Sequence, residues 1–265
     1  MTAVIPAPRP ALFIAHPGHE LRVYGWIRRT RPACMILTTG SRSGADRSRL
    51  NASAEILAIA GADRSELFGD TLDRDLYAVV LAGDIAPFLR WKKTAVEILI
   101  KHRPQQLVID GWQLYSVAHD LTHVMGRLAA QEAADKLGFP IQVLQYDFVP
   151  AQLAGPVQKG AGAFCVELSS DELAEKRAAI GRYPDVEREV LELREIEGED
   201  HARTEPFFLP LSLEQVIQSP GVQPKYEFFG EARKAAGIYG DVIRWHHVEN
   251  IIHGLLENTL REQPR

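Results

Sequence analysis

What the chain has little of narrows the reading first. It contains two cysteines, Cys34 and Cys165, each inside an apolar stretch where a cysteine serves as a small buried hydrophobe. A disulfide framework is thereby excluded, and a reducing, cytoplasmic setting is expected. No run of about 18 apolar residues occurs, so no membrane span is predicted. The N-terminal segment Met1 to Pro10 leads into only a strand-length apolar run, shorter than the ~7–15 residues of a signal-peptide core. No block of Lys or Arg is present and the formal net charge is -5, which points away from nucleic acid and anionic membranes and toward a small-molecule substrate. No internal repeat or low-complexity tract is found. Homo-oligomerisation is left open by the sequence.

What is present is an alternation of apolar runs and helical periodicities. Ala11 to Ala15 (ALFIA) and Cys34 to Thr38 (CMILT) read as buried strands, with a helix over Glu20 to Arg29 between them. The spacing predicts further helices over Arg47 to Ala60, Asp84 to Lys101 and His119 to Leu137, with Gly61 and Gly138 as stop signals. Strands are expected at Glu66 to Phe68, Gln106 to Ile109 and Ile141 to Phe148, and another apolar segment at Ala163 to Leu168. Ser169 with Glu172 forms a capping box for a helix running to about Tyr183. Asp185 to Arg203 reads as a solvated, charged face. The expected fold is therefore α/β: a Rossmann-like, mostly parallel sheet flanked by helices, with residues 1–265 as a single domain, a core over about 10–210 and a C-terminal cap over about 211–265.

In such sheets ligands bind at the carboxyl ends of strands, so the polar residues that follow apolar runs are the ones to inspect. Three places qualify: His16-Pro17-Gly18-His19-Glu20, the loop Thr38 to Asp46, and Asp110 leading to His119 and His123. Pro17 and Gly18 allow a sharp turn that folds His16 and His19 toward one point. His119 and His123 are four apart and share a helix face. Three imidazoles around an open position suit zinc, and iron is also compatible. The bland alternative is that these histidines are hydrogen-bonded turn residues.

The ordered motifs resemble the LmbE-like family of zinc-dependent deacetylases, also called the PIG-L family. The resemblance is carried by AHPGHE at 15–20, where the family has AHPDDE, by TTGSRSG at 38–44 and by RLNASAEILAIAGA at 49–62. It continues through HDLTHVMGRLAA at 119–130, EKRAAIGRY at 175–183 and TEPFFLP at 204–210. It implies Zn2+ ligated by His16, His19 and His123, and removal of an acyl group from an N-acylated sugar or related metabolite. The family's general base falls on Gly18, which cannot take a proton. Asp120 is the favoured substitute; His119, Asp110 and Glu20 are the others, with His119 alternatively an oxyanion stabiliser and Asp110 alternatively the group that orients a ligand imidazole. Arg49, with Ser41 or Arg42, is a candidate for holding a polar substrate group, as is Asp110. The competing expectation is a metal-binding member without hydrolysis, acting as a binding protein or in different metal chemistry.

Overall fold

The computed structural model describes residues 9–41, 46–154, 160–183, 196, 198, 202–218 and 221–262. Seven strands form one sheet: β1 (Ala11–Ile14), β2 (Ala33–Thr38), β3 (Asp63–Thr71), β4 (Gln106–Asp110), β5 (Gln142–Tyr146), β6 (Gly162–Glu167) and β7 (Thr204–Phe208). Their order is β3-β2-β1-β4-β5-β7-β6. The first five are mutually parallel, while β7 pairs antiparallel with both β5 and β6. The fold is a Rossmann-like α/β sheet, as the strand and helix alternation predicts.

The helices cover both faces. They are α1 (Tyr24–Thr30), α2 (Ser48–Ala60), α3 (Asp73–Ala82), α4 (Ala86–His102), α5 (Val117–Leu137), α6 (Ala151–Ala154), α7 (Ser170–Ile180), α8 (Leu213–Ile217), α9 (Lys225–Ala235) and α10 (Trp245–Glu262). Because side chains alternate along a strand, β1 sends Ala11 and Phe13 into a core shared with α3, α4, α5 and α10, and Leu12 and Ile14 into a second core shared with α1, α2 and α7. Burial on both faces is why β1 and β2 read as unbroken apolar runs. Among the described residues no helix is long and apolar enough to cross a membrane.

The structure departs from the sequence reading on the second strand's far side. β3 is nine residues long, and α3 follows it at once. Only Ser65, Leu67 and Gly69 of β3 are buried, so its polar alternation hides the strand, and α3 buries only Leu76 and Val80. The capping box at Ser169 and Glu172 is present and starts α7. Lys176 of α7 donates to Glu205 of β7 at 2.7 Å and to the Arg22 carbonyl at 3.0 Å. Glu205 also accepts the backbone N–H groups of Gly25 and Trp26, free donors in the first turn of α1. That buried ion pair fastens the late Lys and Glu segments to the start of the chain. Arg42 and most of the charged stretch from Asp185 lie outside the described residues.

Candidate metal centre

In strand order, β1 and β4 are neighbours whose connections leave toward opposite sides of the sheet. That makes the crevice beyond their carboxyl ends the switch point where such sheets collect ligands. The chain leaves β1 through Ala15 and folds back at once. Gly18 has φ +102, a left-handed conformation that a side chain strains, and its N–H donates to Glu20 Oε2 at 2.8 Å. Glu20 is fully buried and also accepts from Ser53 Oγ at 2.5 Å and the Tyr183 hydroxyl at 2.7 Å. It holds the turn from inside.

The folded-back turn presents His16 and His19 to the first turn of α5, where His119 sits. Ring centroids are 5.2 Å apart for His16 and His19, 5.2 Å for His16 and His119, and 4.4 Å for His19 and His119. One nitrogen from each ring lies within 4.8 Å of the other two. His19 Nδ1 is 2.9 Å from Asp110 Oδ1. His16 Nδ1 is 2.7 Å from Thr38 Oγ1 and 2.9 Å from Asp73 Oδ1. With Nδ1 of both rings engaged, Nε2 is the nitrogen each has left for an ion, while His119 Nδ1 is buried without a hydrogen-bond partner. Phe148, just past β5, stacks on His19 at 3.9 Å and meets His119 edge-on at 5.3 Å.

Electrostatics favour the neutral rings a metal needs. Burial holds the pKa of His19 below its ordinary value, outweighing the upward pull of Asp110, and holds His119 well below. Burial opposes the charge on Asp110, yet His19, His119 and the Ala15 N–H overcome it and keep the carboxyl well below the usual range. Burial likewise opposes the charge on Asp73, and His16, Thr38 and Arg49 outweigh it. Three imidazoles, two of them backed by carboxylates, are a donor set that fits a borderline divalent ion.

The third imidazole of the cluster is His119, and not the expected His123. His123 lies one helical turn deeper in α5, with Nδ1 3.0 Å from the Asp110 backbone carbonyl and its ring against Trp112. Burial pushes its pKa down to about 3. Asp120 is fully buried, and its Oδ1 accepts the backbone N–H groups of Gln113 and Leu114 at 3.1 and 3.2 Å. It braces the loop between β4 and α5, and burial raises its pKa to about 8. Asp110 faces inward: Oδ2 accepts from Ala15 N at 2.7 Å, and Oδ1 takes His19 and the Tyr146 hydroxyl, the latter at 2.9 Å. The Arg49 guanidinium lies 3.5 Å from where a Cβ on residue 18 would stand, at the edge of the cluster. Ser41 is buried in the loop after β2. Trp245 of the C-terminal helix meets Trp112 at 6.1 Å, so this helix reaches the His123 side of α5.

Asp73 and Phe148 were not singled out by the sequence reading. The rule that polar residues follow strand ends would have found Asp73, two positions after β3, had that strand been traced to Thr71.

No protein-family model matches the sequence, and no curated protein matches it. Solved structures that resemble it include the conserved protein TT1542 from Thermus thermophilus, at 19% identity and a TM-score of 0.49 over 76% of this chain and 94% of that one. A triple mutant of a deacetylase in the teicoplanin biosynthetic pathway aligns at 14% identity and 0.48 over 74% and 97%. The A40926 pseudoaglycone deacetylase Dbv21 aligns at 14% and 0.47 over 90% and 98%.

Proposed function

We propose that the chain holds a divalent metal ion on His16, His19 and His119 and hydrolyses the amide of an N-acylated sugar or related small metabolite. The observation that carries this reading is the convergence of three imidazoles at the switch point of the sheet. The ordered LmbE-like motifs of the sequence support the reaction class. When bound, such an ion supplies Lewis acidity for the amide carbonyl oxygen.

The remaining work falls to the chain's own residues. Asp110 fixes the ring of His19, and Thr38 with Asp73 fixes that of His16. Hydrolysis adds water across the amide: the C–N bond breaks, the carbon takes the hydroxyl, and the nitrogen takes the proton. Some group must move that proton, and Gly18 brings none. We place this role on Asp73, whose side chain is 20% exposed beside the cluster, in preference to Asp120, which is sealed and bonded to backbone. Arg49, beside the Gly18 turn, is placed to hold a polar or anionic substrate group.

The test is elemental mass spectrometry of the purified protein with release of free amine from N-acetylglucosamine, run on wild type, His16→Ala, His119→Ala and His123→Ala. Near-stoichiometric metal that disappears in the first two variants and persists in the third is expected. Asp73→Asn is expected to lower kcat by ~10²–10⁴ while Asp120→Asn stays within about tenfold of wild type. A wild-type protein that neither carries nor takes up metal overturns the metal centre. A metal-loaded protein inactive on a panel of N-acyl sugars overturns the hydrolase.

A further inference from the structure

Half of the large apolar side chains that stand exposed among the described residues fall in one short stretch around α9: Val222, Phe228, Phe229 and Ile238, with Phe228 63% exposed. Single exposed apolar residues are ordinary, but a cluster of them marks a binding surface. This one adjoins the entrance to the histidine cluster. Lys225 N, at the head of α9, donates to the Leu114 carbonyl at 2.7 Å. The Tyr115 ring meets Phe229 edge-on at 5.4 Å, and Phe228 follows at 6.3 Å from Phe229. Tyr115 directly precedes Ser116, the N-cap of α5, so its backbone lies within about 14 Å of that of His119.

The loop that presents Tyr115 is braced against its own strain. Leu114 is buried in a left-handed conformation, φ +52, which a leucine side chain disfavours. Such a residue persists only where its surroundings hold it, and such positions gather at ligand sites. Here Asp120 accepts the N–H groups of Gln113 and Leu114, while α9 holds the Leu114 carbonyl. The Gln113 amide accepts from Phe148 N at 2.9 Å and donates to the Val149 carbonyl at 2.7 Å. The loop of Tyr115 is thereby tied to the ring that stacks on His19.

We propose that Tyr115, Phe229 and Phe228 form a ledge that carries the acyl group of the substrate, and that this group is a medium-length alkyl chain, octanoyl to decanoyl, rather than acetyl. The inference rests on the reading of the histidine cluster as the place where the amide is held. Glu227 and Glu231 of α9 pair with Arg244, Arg233 donates to the Tyr239 hydroxyl at 2.6 Å, and Lys234 pairs with Asp241 at 3.3 Å. With those charges engaged, what α9 sets beside Tyr115 is apolar ring surface, which suits an alkyl chain better than a sugar or an anion. The polar end of the substrate has its partner elsewhere. Arg49 sits by the Gly18 turn on α2, which packs on the opposite face of the sheet from α5. An amide held at the cluster therefore has its sugar toward Arg49 and its acyl carbons toward α5 and the ledge.

The experiment uses the full chain, dialysed free of metal so that binding is read without turnover. N-acetylglucosamine and N-octanoylglucosamine, the latter below its micellar concentration, are titrated calorimetrically into wild type and Phe228→Ser/Phe229→Ser. Leu260→Ser, at an exposed leucine of α10, is the control for non-specific adsorption. Full burial of a methylene is worth about fourfold in affinity, and one resting on an open ledge about twofold. With about four of the added methylenes on the rings, the octanoyl compound is expected to bind about 15-fold tighter than the acetyl one. That ratio should fall to within about threefold in the Phe228→Ser/Phe229→Ser variant, whose melting point and affinity for N-acetylglucosamine stay those of wild type, and should persist in Leu260→Ser. A wild-type ratio near one, or a ratio that the double variant keeps, overturns the ledge. Ledge-dependent binding by a protein that cleaves neither amide once loaded with zinc upholds the ledge and overturns the hydrolase.

Discussion

Replacing Asp110 by Asn removes one atom's worth of charge from the point where three segments meet. The carboxylate receives the Ala15 N–H on one oxygen and His19 Nδ1 with the Tyr146 hydroxyl on the other, all at 2.7–2.9 Å in a fully buried position. An amide oxygen placed at Oδ1 keeps His19 and Tyr146, but then its NH2 faces the Ala15 N–H, donor to donor. A buried N–H left without an acceptor costs ~1–3 kcal/mol, and two charge-assisted bonds that become neutral lose about 1 kcal/mol each. Relief of the buried charge offsets part of this, leaving a net loss of about 3 kcal/mol. At roughly 2–4 °C per kcal/mol for a chain of this size, the melting point falls by about 6–12 °C. Metal affinity should fall 10–100-fold, because a neutral amide behind Nδ1 leaves the His19 ring a less basic ligand than a carboxylate does. Thermal unfolding followed by circular dichroism at pH 7, without metal, is the assay. Asp63→Asn serves as control, since that carboxylate is largely exposed and pairs with Arg9 at the surface. An Asp110→Asn melting point no lower than the control's would refute the reasoning.

Three further outcomes follow from the same packing. His123 titrates near 3 when folded and ~6.5 when unfolded, so the unfolded chain binds the extra proton between those values. Stability therefore rises with pH up to about 6.5 and is lost below it, by at most ~1.4 kcal/mol per pH unit per buried imidazole; His123→Gln should flatten melting points measured from pH 7.5 to 5. His19 and His119 act in the same direction. Gly18→Asp has room for its Cβ but must adopt φ +102, so denaturant unfolding should show a loss of ~1–2 kcal/mol; a stabilised variant contradicts the backbone argument. Lys176→Met leaves Glu205 buried without its cation and should cost ~3–5 kcal/mol, whereas adding Glu205→Gln should cost less than the two single losses combined.

The sheet was legible because its inner strands are buried on both faces, which forces continuous apolar runs at β1, β2 and β4. The same logic fails at the edge. β3 has one exposed face and carries Asp63, Arg64, Glu66 and Asp70, so composition hides all but its centre, and α3 behind it offers only two buried side chains. Losing that strand end also lost Asp73, the carboxylate that reaches His16. Phe148 escaped for another reason: an aromatic at the end of a strand reads as core, and nothing in a sequence says that its ring lies against imidazoles.

Which of His119 and His123 meets His16 and His19 turns on depth along α5. Motif position assigned the ligand to His123, with the helix taken to start at His119. The helix starts at Val117, which puts His119 in the first turn, at the level of the strand ends, and His123 about 6 Å further along the axis. At that depth His123 meets the Asp110 carbonyl, and at the mouth His119 meets His16 and His19. Ala118 and Leu121 are fully buried on the same helix, so it cannot slide by a turn to bring His123 forward without emptying the core beside β1. Which imidazole reaches the cluster is therefore decided by apolar packing along α5, and residue types matched without their helical register do not say which of two histidines one turn apart meets His16 and His19.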